Sequence, residues 1–317
     1  MSFRLAPLLA AALLAVSAGC TGAATDSPTA TVSPALPAPA SAPAQPVDTS
    51  CDPTASLRPS GSTPATMPAG SFMQTIRDRG QLVVGTTQDT LLFSSLNPAT
   101  NTIEGFDVDV AALVAAAVFG TADGRLRLVV VPSAEREAAV QSGRVDLVAE
   151  TMTINCARWR NVDFSTVYLD AGQRVLVPAT STASTLADLQ GQRVCAVPGS
   201  TSVRAIEAAA PGPELVTAST WGGCLVAFQQ NQADAISTDD TILAGLAAQD
   251  PYAKVVGPRI TDEPYGLAMN KDHPEFTRFV NGVLADARAD GRWKAIYDRW
   301  LTRLGAAPAP PPARYRD

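Results

Sequence analysis

The sequence predicts an α/β protein built on open sheets, and three observations carry that expectation. Short apolar runs alternate with longer helix-patterned segments from residue 72 to residue 304. At 317 residues the chain is long enough for about two domains. The segments outside 72–304 are rich in Ala and Pro and poor in large apolar residues, so the regular structure is expected inside that span. Alternation of this kind gives open sheets covered by helices, which receive ligands at the carboxyl ends of their strands.

Taken in order, residues 1–20 read as a targeting segment. Arg4 supplies a positive start and 5–16 an apolar run, broken by Pro7, that is too short to cross a membrane. The run ends in Val16-Ser-Ala-Gly-Cys20, small residues before a cysteine, which resembles a bacterial lipobox with Cys20 as the lipidated mature N-terminus. Ser17 stands where Leu is usual, and an ordinary secretory signal cut near Ala18 is the alternative. Residues 21–50, within an N-terminal segment reaching 71, are Ala, Pro, Ser and Thr and read as a tether. Strands are expected at 82–86, 126–131, 145–151, 174–177, 194–197, 233–237, 254–256 and 265–269. Helices are expected at 108–119, 135–141, 157–160, 202–210, 223–230, 240–248, 274–289 and 291–304. Residues 305–317 form a second Pro-rich end, read as disordered.

Composition narrows the function. The net charge of −6 and the lack of a basic stripe argue against a nucleic-acid partner. A single histidine, His273, removes most His-based catalysis and most metal sites, and no cofactor is expected. With Cys20 lipidated, four cysteines remain: Cys51, Cys156, Cys195 and Cys224. An even number in an exported chain implies two disulfides, with three possible pairings. Cys195–Cys224, both within one βαβ-like region, is the pairing favoured here. It leaves Cys51–Cys156 to staple the N-terminal segment beside 145–165.

That stretch, VDLVAETMTINCARWRNVDFS, reads as strand, short loop, helix, loop. Asn155 is placed to cap the helix. Arg158 follows three residues later, and a guanidinium beside a helix N-terminus makes a donor site for a carboxylate. Thr153 adds a hydroxyl on the preceding loop. The bland alternative is a surface Arg158 paired with Asp163.

Six segments in register resemble the family 3 solute-binding proteins, the polar amino-acid receptors of ABC importers. They are Leu82-Val-Val-Gly-Thr86, Glu104-Gly-Phe-Asp-Val-Asp-Val110, Leu147 to Ser165, Val194-Cys-Ala-Val-Pro-Gly-Ser-Thr-Ser202, Ala233-Asp-Ala-Ile-Ser-Thr-Asp-Asp240 and the Trp293, Tyr297, Trp300 helix. The lipobox, tether and extra cysteines resemble those of actinobacterial glutamate/glutamine-binding lipoproteins. The resemblance implies the two-lobed periplasmic-binding-protein fold of type II. Lobe 1 would be 72–168 plus 264–304 and lobe 2 would be 174–259, with crossover hinges at 166–173 and 258–264 and the cleft between them.

It also implies roles by position. Arg158 would hold the α-carboxylate of an amino acid, helped by the helix start at Ser200 and Thr201. Asp239 would take the α-ammonium, completed by Thr153 and the carbonyl of Thr151. Ser133-Ala-Glu-Arg136 resembles the segment that reads an acidic side chain in glutamate/aspartate-binding relatives, with Ser133 capping that helix. The alternatives are local. Asp239 and Ser200 can cap their own helices, and Arg136 can pair with Glu135 or Glu137. Trp221 falls at a ligand-contact position or in lobe packing. Thr87 and Thr90 stand where many relatives carry a charged or aromatic ligand contact, and Leu92-Phe93 replaces the usual Pro-Phe. Glu150 occupies a position often small in the family and, facing the cleft, would pair with Arg136.

The reading is thus a lipid-anchored extracytoplasmic receptor on the outer face of the membrane, monomeric, for an acidic or amide amino acid. Glutamate and aspartate lead glutamine and asparagine. It would report to an ABC permease or a membrane sensor protein. Two other classes compete. One is an enzyme of the same fold, dehydratase-like toward arogenate or prephenate, with Glu150 or Asp239 as general acid. The other is a purely structural lipoprotein.

Overall fold

A computed structural model describes residues 51–60, 67–209 and 212–317. The leader expected at 1–20, Cys20 and the tether expected at 21–50 lie outside the described residues. Two α/β bodies follow, each on its own sheet. The first sheet runs in the order Leu126–Val130, Leu82–Thr86, Leu147–Val148, Ala268–Met269, Asp163–Phe164. Its first three strands are parallel, and Ala268–Met269 is antiparallel to both neighbours. The second runs Glu214–Thr217, Arg193–Ala196, Ala235–Asp239, Leu169–Pro178, Ala253–Val256.

Leu169–Pro178 is the connection between the bodies. Its first half pairs antiparallel with Asp262–Tyr265, and its second half belongs to the second sheet. These two antiparallel strands are the crossovers. The first body carries two apolar clusters, one around Phe93, Phe106, Leu147 and Trp293 and one around Val83, Val148, Trp159 and Phe164; the second body packs around Leu176, Val194, Ile236 and Leu243. Two separately packed bodies joined by a two-stranded ribbon form the mechanical basis of a hinge.

Local chemistry explains the elements that frame the cleft. Helix Phe106–Phe119 is apolar almost all round and is buried along nine of its residues. It starts at Gly105, where φ is 146° and an added Cβ would lie 2.3 Å from the Phe93 backbone, so glycine is required there. The strand expected over 145–151 is shorter, Leu147–Val148, because the chain leaves the sheet. Thr151 sits at φ 40°, and its N–H is captured by the buried Asp107 carboxylate at 2.7 Å. Helix Phe72–Arg79, capped by Ser71, and a three-stranded meander (Asp89–Thr90, Ser94–Asn97, Thr102–Glu104) were not expected from sequence.

The C-terminal end is a correction. Residues 305–317 are ordered: Arg314–Tyr315 pairs with Ala55–Ser56, Arg316 lies 3.9 Å over the Trp159 ring, and Asp317 meets Arg58 and Arg278. Asn281 ties this clasp to the crossover, donating to Leu57 O and accepting from Thr166 N–H. Both disulfides are those favoured above, Cys51–Cys156 and Cys195–Cys224.

Candidate functional site

Helix Cys156–Trp159 is a single turn, and three anchors hold it. The Asn155 side chain accepts from Arg158 N–H at 2.9 Å, Cys156 is bonded to Cys51, and Trp159 Nε1 donates to Pro53 O at 2.8 Å. Arg158 therefore projects from a fixed base. Its guanidinium sits beside the start of that turn, whose Arg158 N–H is already taken by the Asn155 side chain. Nη1 donates to Thr153 O at 2.6 Å and Nη2 to Gly199 O at 2.9 Å. The bland pairing with Asp163 does not form, since that carboxylate meets Arg316 and Thr277. Burial, then the neighbouring Arg136 cation, depresses Arg158 to about 9, so it remains charged at neutral pH.

Arg136 reaches the same point from a second helix, Arg136–Gln141. Its Nη2 donates to Gly199 O at 3.3 Å, Nη1 to Glu150 O at 3.0 Å and Nε to Ser133 O at 3.0 Å. Glu135 pairs instead with Arg144. Ser133 does not cap the helix. Its hydroxyl donates to Glu150 Oε1 at 3.0 Å, an oxygen 3.9 Å from Arg136 Nε. Burial pushes Glu150 up to about 7, partly offset by Arg136, and its Oε2 has no hydrogen-bond partner among the described residues. Asp107, holding Thr151 N–H and Tyr168 OH, is likewise raised to about 7 by burial.

The facing wall comes from the second body. Gly199, at φ 81°, presents its carbonyl to both guanidiniums; an added Cβ would lie 2.4 Å from Ala134 Cα. Ser200 stands at the start of helix Thr201–Ala208 without a side-chain cap, its hydroxyl donating to Val197 O. Asp239 does not cap its helix either: it accepts from Tyr265 OH at 2.5 Å. Burial, then the Glu263 charge, raises Asp239 well above the usual carboxylate range. Trp221 opens helix Trp221–Gln229 behind a Thr220 cap and is buried.

Together Ser133, Arg136, Thr151, Thr153, Arg158, Ser200, Thr201, Trp221 and Asp239 line one narrow cleft, joined by Ser202, Thr238 and Ile242. Two sequence candidates do not line it. Glu150 lies behind Ser133 and Arg136. Thr87 turns its hydroxyl to Thr90 and Ser94, which satisfy it inside the meander.

Sequence reasoning missed Glu263. Buried on strand Asp262–Tyr265, it accepts from Thr153 Oγ1 at 2.6 Å and Thr201 Oγ1 at 2.7 Å. It falls in the crossover hinge expected at 258–264, beside Pro264, and nothing local marks the role. Asp89, also missed, accepts Gly222 N–H from the opposite body at 2.9 Å. The cleft thus has a cationic end, Arg158 with Arg136, and an acceptor end, Asp239 with the Glu263-held hydroxyls. That arrangement suits a small zwitterion, whose charges each need a partner once water is excluded.

Comparison with known proteins agrees with this geometry. The model of the bacterial extracellular solute-binding proteins, family 3, matches residues 82–303. The ABC transporter glutamine-binding protein GlnH of Bacillus subtilis is 36% identical over 227 residues, 71% of this chain and 83% of that protein. The glutamate-binding protein GluB of Corynebacterium glutamicum is 35% identical over 230 residues, 69% of this chain and 78% of its own length. Among solved structures, the ancestral amino acid-binding protein AncCDT-1, a precursor of cyclohexadienyl dehydratase, superposes with a TM-score of 0.67. Its identity is 30%, covering 73% of this chain and 100% of that one.

Proposed function

The chain belongs to the bacterial extracellular solute-binding proteins of family 3, and we propose that its cleft binds a free amino acid with an acidic or amide side chain. One observation carries this reading. Arg158 and Arg136, on separate helices, converge on a single acceptor, the Gly199 carbonyl, at 2.9 and 3.3 Å. A ligand carboxylate arriving there is a stronger acceptor than that carbonyl and fits a guanidinium fork. Asp239 and the acceptor hydroxyls at the other end receive the α-ammonium.

Side-chain choice rests on Arg136 with Glu150. A protonated Glu150 leaves the Arg136 cation uncompensated and favours glutamate or aspartate. An ionised Glu150 neutralises it and favours glutamine or asparagine. With Glu150 raised to about 7, the acidic ligands lead at and below neutral pH. Relatives named for glutamine and for glutamate stand at nearly equal identity, in keeping with a site balanced between the two. The receptor is monomeric, tethered through lipidated Cys20 to the outer face of the membrane, and delivers its ligand to an ABC permease or a membrane sensor.

Calorimetry with the twenty common amino acids tests the reading. Heat is expected with glutamate, aspartate, glutamine or asparagine; none with any of the four would defeat it. A second reading, a dehydratase, draws on the buried Asp239 carboxyl as a proton donor and on the likeness to the dehydratase precursor. Product from arogenate or prephenate would favour it over the receptor.

A further inference from the structure

We propose that Glu263 sets the polarity of the ammonium end of the cleft, a positioning and specificity-determining role that rests on the amino-acid reading above. Glu263 is 3% exposed and belongs to neither wall: it stands on the crossover strand Asp262–Tyr265. One of its oxygens, Oε2, accepts from Thr153 Oγ1 of the first body at 2.6 Å and from Thr201 Oγ1 of the second at 2.7 Å. The other, Oε1, accepts from Thr261 Oγ1 at 2.6 Å.

A threonine hydroxyl has one proton and two lone pairs, and an ionised carboxylate only accepts. Glu263 therefore consumes the single proton of both cleft hydroxyls. What Thr153 and Thr201 present to the cleft is lone pairs. Such a surface accepts from an ammonium and opposes a carboxylate, so the zwitterion can enter in one orientation only. The Thr201 hydroxyl thus serves the ammonium end, although position alone had grouped Thr201 with the carboxylate partners. Charge acts in the same direction. Asp239 shares its oxygen with Tyr265 OH, and burial disfavours its ionisation, whereas Glu263 places a negative charge one hydroxyl away from the ligand.

Position on the hinge adds a second consequence. Thr153 and Thr201 come from different bodies, so both bonds to Oε2 exist only when the bodies meet. Recognition of the ammonium and closure of the cleft then share the same two hydrogen bonds.

The test is calorimetry on the intact chain with L-glutamate, L-glutamine and 2-hydroxyglutarate, in which a hydroxyl replaces the ammonium. Glu263→Met frees both hydroxyl protons. It is expected to weaken both amino acids at least a hundredfold and 2-hydroxyglutarate less than threefold. Glu263→Gln, which keeps the shape and removes the charge, is expected to weaken the amino acids about tenfold. Thr153→Val combined with Glu263→Gln should bind no more than threefold worse than the weaker single variant, because the two act as one unit. Each variant's melting temperature is measured without ligand, and Thr201→Val, which keeps the carboxylate, replaces any Glu263 variant that does not fold. Equal losses for amino acid and hydroxy acid, multiplying losses in the double variant, or unchanged amino-acid binding would overturn the role. A wild-type chain inert to every amino acid would instead sink the receptor reading itself.

Discussion

Glu150→Gln isolates the most consequential titration in the site. Burial raises Glu150 from the ordinary 4.5 to about 7, while Arg136 Nε lies 3.9 Å away. A ligand bearing a second carboxylate binds best with Glu150 protonated. Between pH 6 and pH 8 the protonated fraction falls about tenfold for a group titrating near 7, so glutamate affinity should fall about tenfold, worth about 1.4 kcal/mol. Glutamine carries no second charge and should hold its affinity or gain. In Glu150→Gln the glutamate slope should vanish, with glutamate favoured at both pH values.

Stability follows with a definite sign. A carboxyl raised on folding contributes most below its unfolded pKa and loses that contribution as pH rises through the folded one. For Glu150, raised from 4.5 to about 7, the loss from pH 4.5 to 8 is about 3 kcal/mol. Asp107 has the same sign and is present in both proteins, so the comparison reads Glu150 together with its repulsion from Asp107. The melting-temperature advantage of Glu150→Gln over wild type should therefore be larger at pH 8 than at pH 5. Calorimetry at pH 6, 7 and 8 and thermal melts read both effects. A wild-type glutamate affinity flat across that range, or a slope retained in Glu150→Gln, would refute the assignment.

Four further outcomes are expected. Arg158→Ala should abolish detectable binding of every amino acid, since a buried carboxylate left unpaired costs about 3–5 kcal/mol. Arg136→Ala should hurt acidic ligands more than amides, and equal losses in calorimetry would remove Arg136 from selectivity. Gly199→Ala should weaken all ligands and shift the bodies apart in small-angle scattering, because its Cβ would lie 2.4 Å from Ala134 Cα and the residue needs φ 81°. Replacing Cys51 and Cys156 by Ser should lower stability by about 2–4 kcal/mol in denaturant melts, and ligand affinity with it, since that bond anchors the turn bearing Arg158.

Much of the fold was legible because its signals are local. Helix Pro274–Ala289 was placed to the residue, since Pro274 marks its first turn and an apolar stripe its length. Strand Leu82–Thr86 was equally plain as an uninterrupted apolar run. The meander at Asp89–Glu104 was not, because its strands are two to four residues long, polar and without alternation. The C-terminal end was misread for a different reason. Its Pro and Ala residues have no local preference for order, and what orders it is distant in sequence. Arg316 stacks on Trp159, Asp317 meets Arg58 and Arg278, and Ala55–Ser56 offers a strand edge. Each of these contacts has at least one partner outside the family match at 82–303, so the motifs alone did not point to it.

The site divides along the same line. Arg158, Arg136, Thr153, Ser200 and Asp239 occupy positions that match the family's segments, so the resemblance implied their presence in the cleft. Their partners could not. Asp239 was weighed between a ligand and a helix cap, and it binds a tyrosine of the crossover. Ser133 was read as a cap, and it holds the carboxylate whose direction sequence left open. Glu263 is the extreme case, since its two cleft partners lie 110 and 62 residues away. A motif specifies which groups face the ligand. The charge state and proton direction of those groups depend on buried residues that reach them only across the fold. In the function proposed above Glu150 does this for Arg136 and Glu263 for the two threonines, the first from inside a family segment and the second from outside all six.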